Sequence, residues 1–469
     1  MRALAVGLFM AATLAVAGPA SAESTLYITG GGYGHGIGMS QYGAYGYALH
    51  GWTYEQILAH YYTGTALGQT NPNQAVRVLL GSGSAAFAGA SQADGKKLNP
   101  SLTYDVVPLA NGSLKLVSQS THQPVGTFRA PLTATGSAPL SLAGLGTYRG
   151  SLEFRPNGSR GVSTVNVVGV DDYVQGVIAA EMPADWSAEA LKAQAVAART
   201  YAITTDVAGT YYNLYPDIRS QMYRGVAAET PAKDAAVVAT SGQIVTYDGA
   251  AAVSYFYASS GGYTENVEDV WPGATPDPWL RGVPDPYDGA GGDPYHHWTR
   301  RLSLSTATKR LGGLVKGKLV GIKVTQHGAS PRIMTAKVIG TRGTARVTGS
   351  QLERAFGLLS TWARFTTISL STDPTPTAAA GDTTGEEAVI AQMKRVFGQM
   401  ANASQTLHGT IVGAGIGAVV TVEVRAGDHW RKRSVVRLGT GGAYAVRVVG
   451  AGIYRVVYRG LDGPSVVVR

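Results

Sequence analysis

The chain has no cysteine among its 469 residues. Disulfides and thiolate metal ligands are therefore excluded, and stability has to come from a packed core. Charge is sparse, at 15% of residues, and carboxylates are the scarcer kind: 30 Asp and Glu stand against 39 Lys and Arg, a formal net charge of +9. With 45% hydrophobic residues, that sparseness excludes a disordered polyelectrolyte. No apolar run beyond the first 22 residues approaches the length of a bilayer span. The first part of the chain has no compact Lys/Arg cluster, which argues against nucleic acid as a partner.

What is present begins with a leader. Arg2, an apolar run from Leu4 to Ala17 and Ala20-Ser21-Ala22 have the layout of a secretory signal cleaved after Ala22. An uncleaved anchor is the alternative, for which the run is short. The expected product is exported, with no membrane span once the signal is gone.

The remaining chain reads as α+β. A glycine-rich loop feeds a short helix over 54–62, with Tyr54, Ile57, Leu58, Tyr61 and Tyr62 at helical spacing. Residues 75–170 alternate apolar and polar in short runs split by Gly, Asn and Pro, which predicts strands. Helices are expected over 187–204, 231–240 and near 304–312, with further strands between and after them. Residues 371–384 are rich in Pro, Thr, Ala and Gly and read as a linker. Thr383 and Glu386 form a capping-box pattern before a helix with Val389, Met393, Val396, Phe397 and Met400 on one face. The expected units are a signal (1–22), a main domain (23–372), linker and helix (373–407) and a small β-sandwich (408–469). The basic run Arg431-Lys432-Arg433 in the last unit reads as a solvated turn.

One stretch concentrates the chemistry: VDDYVQGVIAAEMPADWSAEALKAQAVAARTY, residues 170–201. Glu181 is a lone carboxylate in apolar surroundings, which raise a carboxyl pKa and suit a general acid. Ser187 and the first-turn Glu189 start an Ala-rich helix. Lys192 and Arg199 lie two turns apart on one face, where they suit tuning an acid or holding an anion. A plainer reading also fits: Glu181 at a strand end on the surface and Lys192 and Arg199 on a solvated stripe. The nearby Asp171, Asp172 and Asp185 offer a second carboxylate, or else Asp171-Asp172 are a strand-entry turn and Asp185 a turn or cap.

The same stretch resembles the signature of the SpoIID/LytB family of stage II sporulation protein D and amidase-enhancer proteins. The match runs from Tyr173 through Gly176, Val177, Glu181, Met182 and Pro183, then from Ala190 to Tyr201. Asp217, Ser220, Gln221, Tyr223 and Gly225 resemble a second family element, residues 257–265 (YASSGGYTE) a third, 279–298 a fourth and 349–365 a closing segment. The element GYGHGIGMSQYGA, usually behind that closing segment, stands here at residues 32–44. The order looks like a circular permutation of the main domain that moves the element of 30–65 to its front, which requires the domain's ends to lie close together.

The resemblance implies a lytic transglycosylase that cleaves peptidoglycan glycan strands between N-acetylmuramic acid and N-acetylglucosamine, secreted and associated with the cell wall. It implies Glu181 as the catalytic residue, with no cofactor. Substrate-binding candidates are Lys192, Arg199, His35, Ser40, Gln41, Gln221, Tyr223, Ser260, Gly261 and Gly262. The hydroxyl and amide groups suit sugar recognition, and the glycines offer open backbone N–H groups. Some family members bind zinc through Cys and His; that set is missing here, and adjacent His296 and His297 make a poor shared site. The alternative is a non-catalytic wall binder that enhances an N-acetylmuramoyl-L-alanine amidase, its partner.

Overall fold

The computed structural model describes residues 24–158, 160–207, 211–372 and 404–468. The expected leader and the expected helix of 386–400 lie outside them. Five helices build the layer beneath the site: α1 (Gln41–Leu49), α2 (Tyr54–Tyr61), α3 (Val170–Glu181), α4 (Ala188–Thr204) and α5 (Pro231–Ala239). At the centre stands α4, in which every residue from Ala190 to Ala202 except Lys192 is buried. Alanine carries almost no bulk, so α1, α2, α3 and α5 all pack directly against it. No described helix is long and apolar enough to cross a membrane.

The alternating region becomes two antiparallel six-stranded sheets. One runs Ala75–Gly83, Gly161–Gly169, Ser151–Asn157 and Leu132–Thr135 to two short edge strands. The other is built around Tyr104–Pro108 and Leu114–Ser118. Their inward residues, including Val78, Leu116 and the stacked rings of Phe87 and Phe154, form one core. Each large side chain buried there contributes about 1.5–3 kcal/mol. Tyr173, Val174, Val177 and Ile178 of α3 enter the same core. This corrects the reading of Asp171-Asp172 as a turn before a strand: both lie in the first turn of α3, where the helix dipole favours acids.

The N-terminal strand Thr25–Gly30 sits between Trp298–Ser303 and Ala363–Ile368, antiparallel to both. It delivers the glycine loop of 31–38 to the middle of the molecule. Beyond Ile368 the same sheet continues into Ser404–Val412, which pairs with Ala443–Val449. A four-stranded sheet, Val419–Ala426 with His429–Arg437, Gly452–Tyr458 and Leu461–Val468, covers it. The tail core of Leu407, Ile411, Val420 and Val456 includes Tyr27, Ile368 and Leu370. Pairing and packing therefore run across the boundary expected between main domain and tail.

Candidate active site

Glu181 is the last residue of α3, half-buried where the helix stops at Met182 and Pro183. Its Oε1 accepts from the backbone N–H of Met222 at 2.9 Å, and its Oε2 accepts from Gln41 Nε2 at 3.1 Å. Burial raises its pKa above the ordinary glutamate range, and these two donors hold it back. Each oxygen keeps a further lone pair. Gln41 opens α1 just after Ser40, whose hydroxyl caps that helix by accepting from Gly43 N–H. The segment 32–44 therefore reaches Glu181 across 140 positions of sequence.

Two of the three neighbouring aspartates are placed far from Glu181. Asp171 and Asp172 sit at the other end of α3, roughly 14–15 Å away along the helix at 1.5 Å per residue. Asp171 is tied to Arg199 and Ser241, and Asp185 is exposed. Among the described residues no carboxylate is hydrogen-bonded to Glu181.

Lys192 and Arg199 are not brought to Glu181. Arg199 is fully buried, 2.5 Å from Asp171 and donating to the carbonyl of Gln243. Lys192 pairs with Glu189 at 2.7 Å beside the Tyr54 ring. Seven-residue spacing gives a shared face but not a shared depth. Gln221 and Tyr223 also turn inward: Gln221 bridges the Tyr173 hydroxyl and the Ala198 carbonyl, and the Tyr223 hydroxyl donates to Asn166. What they flank, the Met222 N–H, is the group that touches Glu181.

His35 lies among the rings of Tyr257, Trp271 and Tyr255, and its Nδ1 accepts from Ile37 N–H. Burial, then the nearby Arg332 charge, bring its pKa down to about 4, so the ring is neutral at neutral pH. Gly36 faces Arg332: a Cβ there would lie 2.4 Å from Arg332 Nε, and the residue has φ +95°. Only glycine meets both demands.

Ser40, Ser260, Gly261 and Gly262 belong to a different centre. Asp288, fully buried, accepts from Ser40 Oγ, Ser259 Oγ, Ser260 N–H, Gly261 N–H and His296 Nδ1 at 2.8–3.0 Å. Gly262 N–H donates to Ser260 Oγ. The N–H groups read as open to a ligand are thus spent inside. Asp288, Asp293 and His296 bring ligand atoms within 4.8 Å of one another, but the Asp288 oxygens already hold five donors, so this set fits a brace better than a metal. Beside it Asp285 is also fully buried, with the hydroxyls of Ser260, Tyr61 and Ser40 as the donors nearest its carboxyl. Burial, then the charge of Asp288, push its pKa up to about 8. Sequence reading assigned no role to Asp285, Asp288 or Met222, although the matched segments contain the first two and the neighbours of the third.

Residues 158–247 match the family model for stage II sporulation protein (SpoIID). Stage II sporulation protein D of Bacillus subtilis is 35% identical over 161 residues, 31% of this chain and 47% of that protein. The amidase enhancer of Bacillus subtilis is 33% identical over 177 residues, 32% of this chain and 24% of its own length. An uncharacterised protein of Brachyspira hyodysenteriae is 36% identical over 155 residues, covering 32% and 42%. Each match spans less than half of the relative. No solved structure matches the chain.

Proposed function

We propose that this chain, which carries a SpoIID-family domain, is a secreted, wall-associated peptidoglycan lytic transglycosylase with Glu181 as its single catalytic residue. The observation that carries the reading is a half-buried carboxyl of raised pKa, held by Met222 N–H and the Gln41 amide, with Asp171 and Asp172 a helix length away. Hydrolases place two carboxyl groups about 5–9.5 Å apart, closer than α3 allows for either aspartate.

A lytic transglycosylase needs only one such group. Protonated Glu181 donates to the glycosidic oxygen as the bond to muramic C1 breaks, and the glucosamine leaves as an alcohol. The muramic C6 hydroxyl then bonds to C1 and gives its proton back to the Glu181 carboxylate. The nucleophile is already tethered, so effective molarity does work that a second residue would otherwise do. Gln41 and Met222 orient the carboxyl, and the braced residues around Asp288 position α1. The pairing of Thr25–Gly30 with Ala363–Ile368 supports reading 32–44 as an element moved from behind the closing segment.

The second reading, a non-catalytic enhancer of a wall amidase, is favoured by the relative named amidase enhancer. Incubating the mature protein with intact and with peptide-stripped glycan, followed by mass spectrometry, tests the choice. Anhydro-muropeptides released by the wild type and absent with Glu181→Gln support catalysis. Unchanged glycan, with accelerated release of stem peptides when an amidase is added, supports the enhancer.

A further inference from the structure

Charge is not spread evenly. Residues 300–372 hold thirteen of the chain's 39 Lys and Arg but one of its 30 Asp and Glu, Glu353. Part of this basic segment forms a three-stranded sheet, Leu319–His327, Ile333–Gly340 and Gly343–Thr348. Lys323 lies directly opposite Lys337, and Lys337 directly opposite Arg346. Residues so paired share a face at about 5 Å between Cβ atoms, and like charges there repel. All three are exposed, and none makes an ion pair among the described residues. That arrangement costs stability unless an anion neutralises it.

Lys323, at one end of this row, lines a cavity of about 810 Å³ between this sheet, the strand Ala363–Ile368 and the tail. Lys323, His327, Arg364 and Arg459 line it, and no carboxylate does. Arg364 and Arg459 are exposed and make no ion pair among the described residues. The rest of the wall is mostly aliphatic or glycine: Ile322, Val324, Val412, Leu461, Gly413 and Gly415.

We propose that this cavity is a binding site for a phosphodiester-linked polyol chain, a class of anionic wall polymer. Guanidinium forks match phosphate oxygens in pairs. The aliphatic wall suits the hydrocarbon links between phosphates. Single-stranded nucleic acid fits less well, because it binds through exposed aromatic platforms, whereas Phe365 and Tyr458 at this cavity are buried and its one exposed ring is the small imidazole of His327. The site is built jointly by the main domain and the tail, so it gives the tail a role in retention without touching Glu181.

The test uses the full mature chain and fluorescent poly(glycerol phosphate), with poly-γ-glutamate and oligothymidylate of similar length as comparators. Binding is measured across a salt series. The triple variant Lys323→Gln, Arg364→Gln, Arg459→Gln should lose about 30-fold in affinity, with a salt slope shallower by about 2 to 3 units. A charge-matched control, Arg431→Gln, Lys432→Gln, Arg433→Gln, should lose less than about threefold. If the first triple fails to fold, Lys323→Gln alone at its exposed position carries the test, with a loss of about threefold or more. Equal losses in the two triples overturn the proposal, as does equal or tighter binding of polyglutamate or oligothymidylate, or no binding of the polyol phosphate. None of these outcomes depends on whether Glu181 is catalytic.

Discussion

Glu181 and Asp288 are both carboxylates held by backbone and side-chain donors, and they differ in what is left over. Asp288 is fully buried and takes five donors. Glu181 is half-buried, takes two, and its pKa stays raised. The saturated carboxylate joins the 259–262 loop, α1 and His296 into one piece. The unsaturated one stands at the end of a helix whose other side is locked in a core. A carboxyl group with donors to spare builds structure; one with lone pairs to spare is available for proton transfer.

The largest expected effect breaks that comparison on the catalytic side. Glu181→Gln keeps shape and both contacts in altered form but removes the proton. Glycan cleavage should fall by about a thousandfold or more, within the range for general acid–base groups, while the thermal midpoint stays at the wild-type value. Asp288→Ala should do the reverse. It strands two hydroxyls and two N–H groups in the interior, and denaturant unfolding should show a loss of about 3–5 kcal/mol. If Asp288→Ala unfolds at the wild-type midpoint, the brace assignment fails.

Gln41→Ala sharpens the contrast at smaller scale. The Gln41 hydrogen bond lowers the Glu181 pKa, so its removal should move that pKa further up. Free-enzyme activity requires Glu181 protonated, so kcat/KM should fall as pH rises through its pKa, and in the variant this limb should lie at higher pH. The maximal rate should drop about tenfold through lost orientation. A limb that moves to lower pH contradicts the contact.

Asp285 supplies a smaller, pH-dependent test. Its folded-state pKa of about 8 lies above the ordinary 3.8. Between those values the folded protein keeps a proton that the unfolded chain has lost. Its stabilising contribution is therefore full below about pH 4 and is lost as pH rises through about 8. Asp285→Asn should flatten stability against pH across that window. Smallest of all, Lys192→Gln should change cleavage less than about twofold, because a part-exposed pair with Glu189 contributes little.

These contrasts also show what was legible in the sequence. The α4 helix was readable from its alanines and Ser187, and the strands of 75–169 from their alternation. The SpoIID resemblance singled out Glu181. The α1 helix was hidden by its glycines, which are there for packing: a Cβ on Gly43 would lie 2.1 Å from the Tyr61 hydroxyl, and one on Gly46 2.0 Å from the Tyr287 carbonyl. The α3 helix was masked because Asp171-Asp172 suggests a turn as readily as a helix start. The depth of Arg199 follows from what α4 packs against, which spacing does not encode. The Met222 N–H is a backbone donor placed by a loop, and no side chain announces it.

The central claim is that one carboxyl and the substrate's own hydroxyl complete the reaction. Digesting purified glycan in oxygen-18 water and reading the new muramic ends by mass spectrometry tests it most directly. The account predicts 1,6-anhydro ends that carry no label. Labelled reducing ends would mean that water is the nucleophile, and would turn attention to Asp185, because α3 holds Asp171 and Asp172 out of reach.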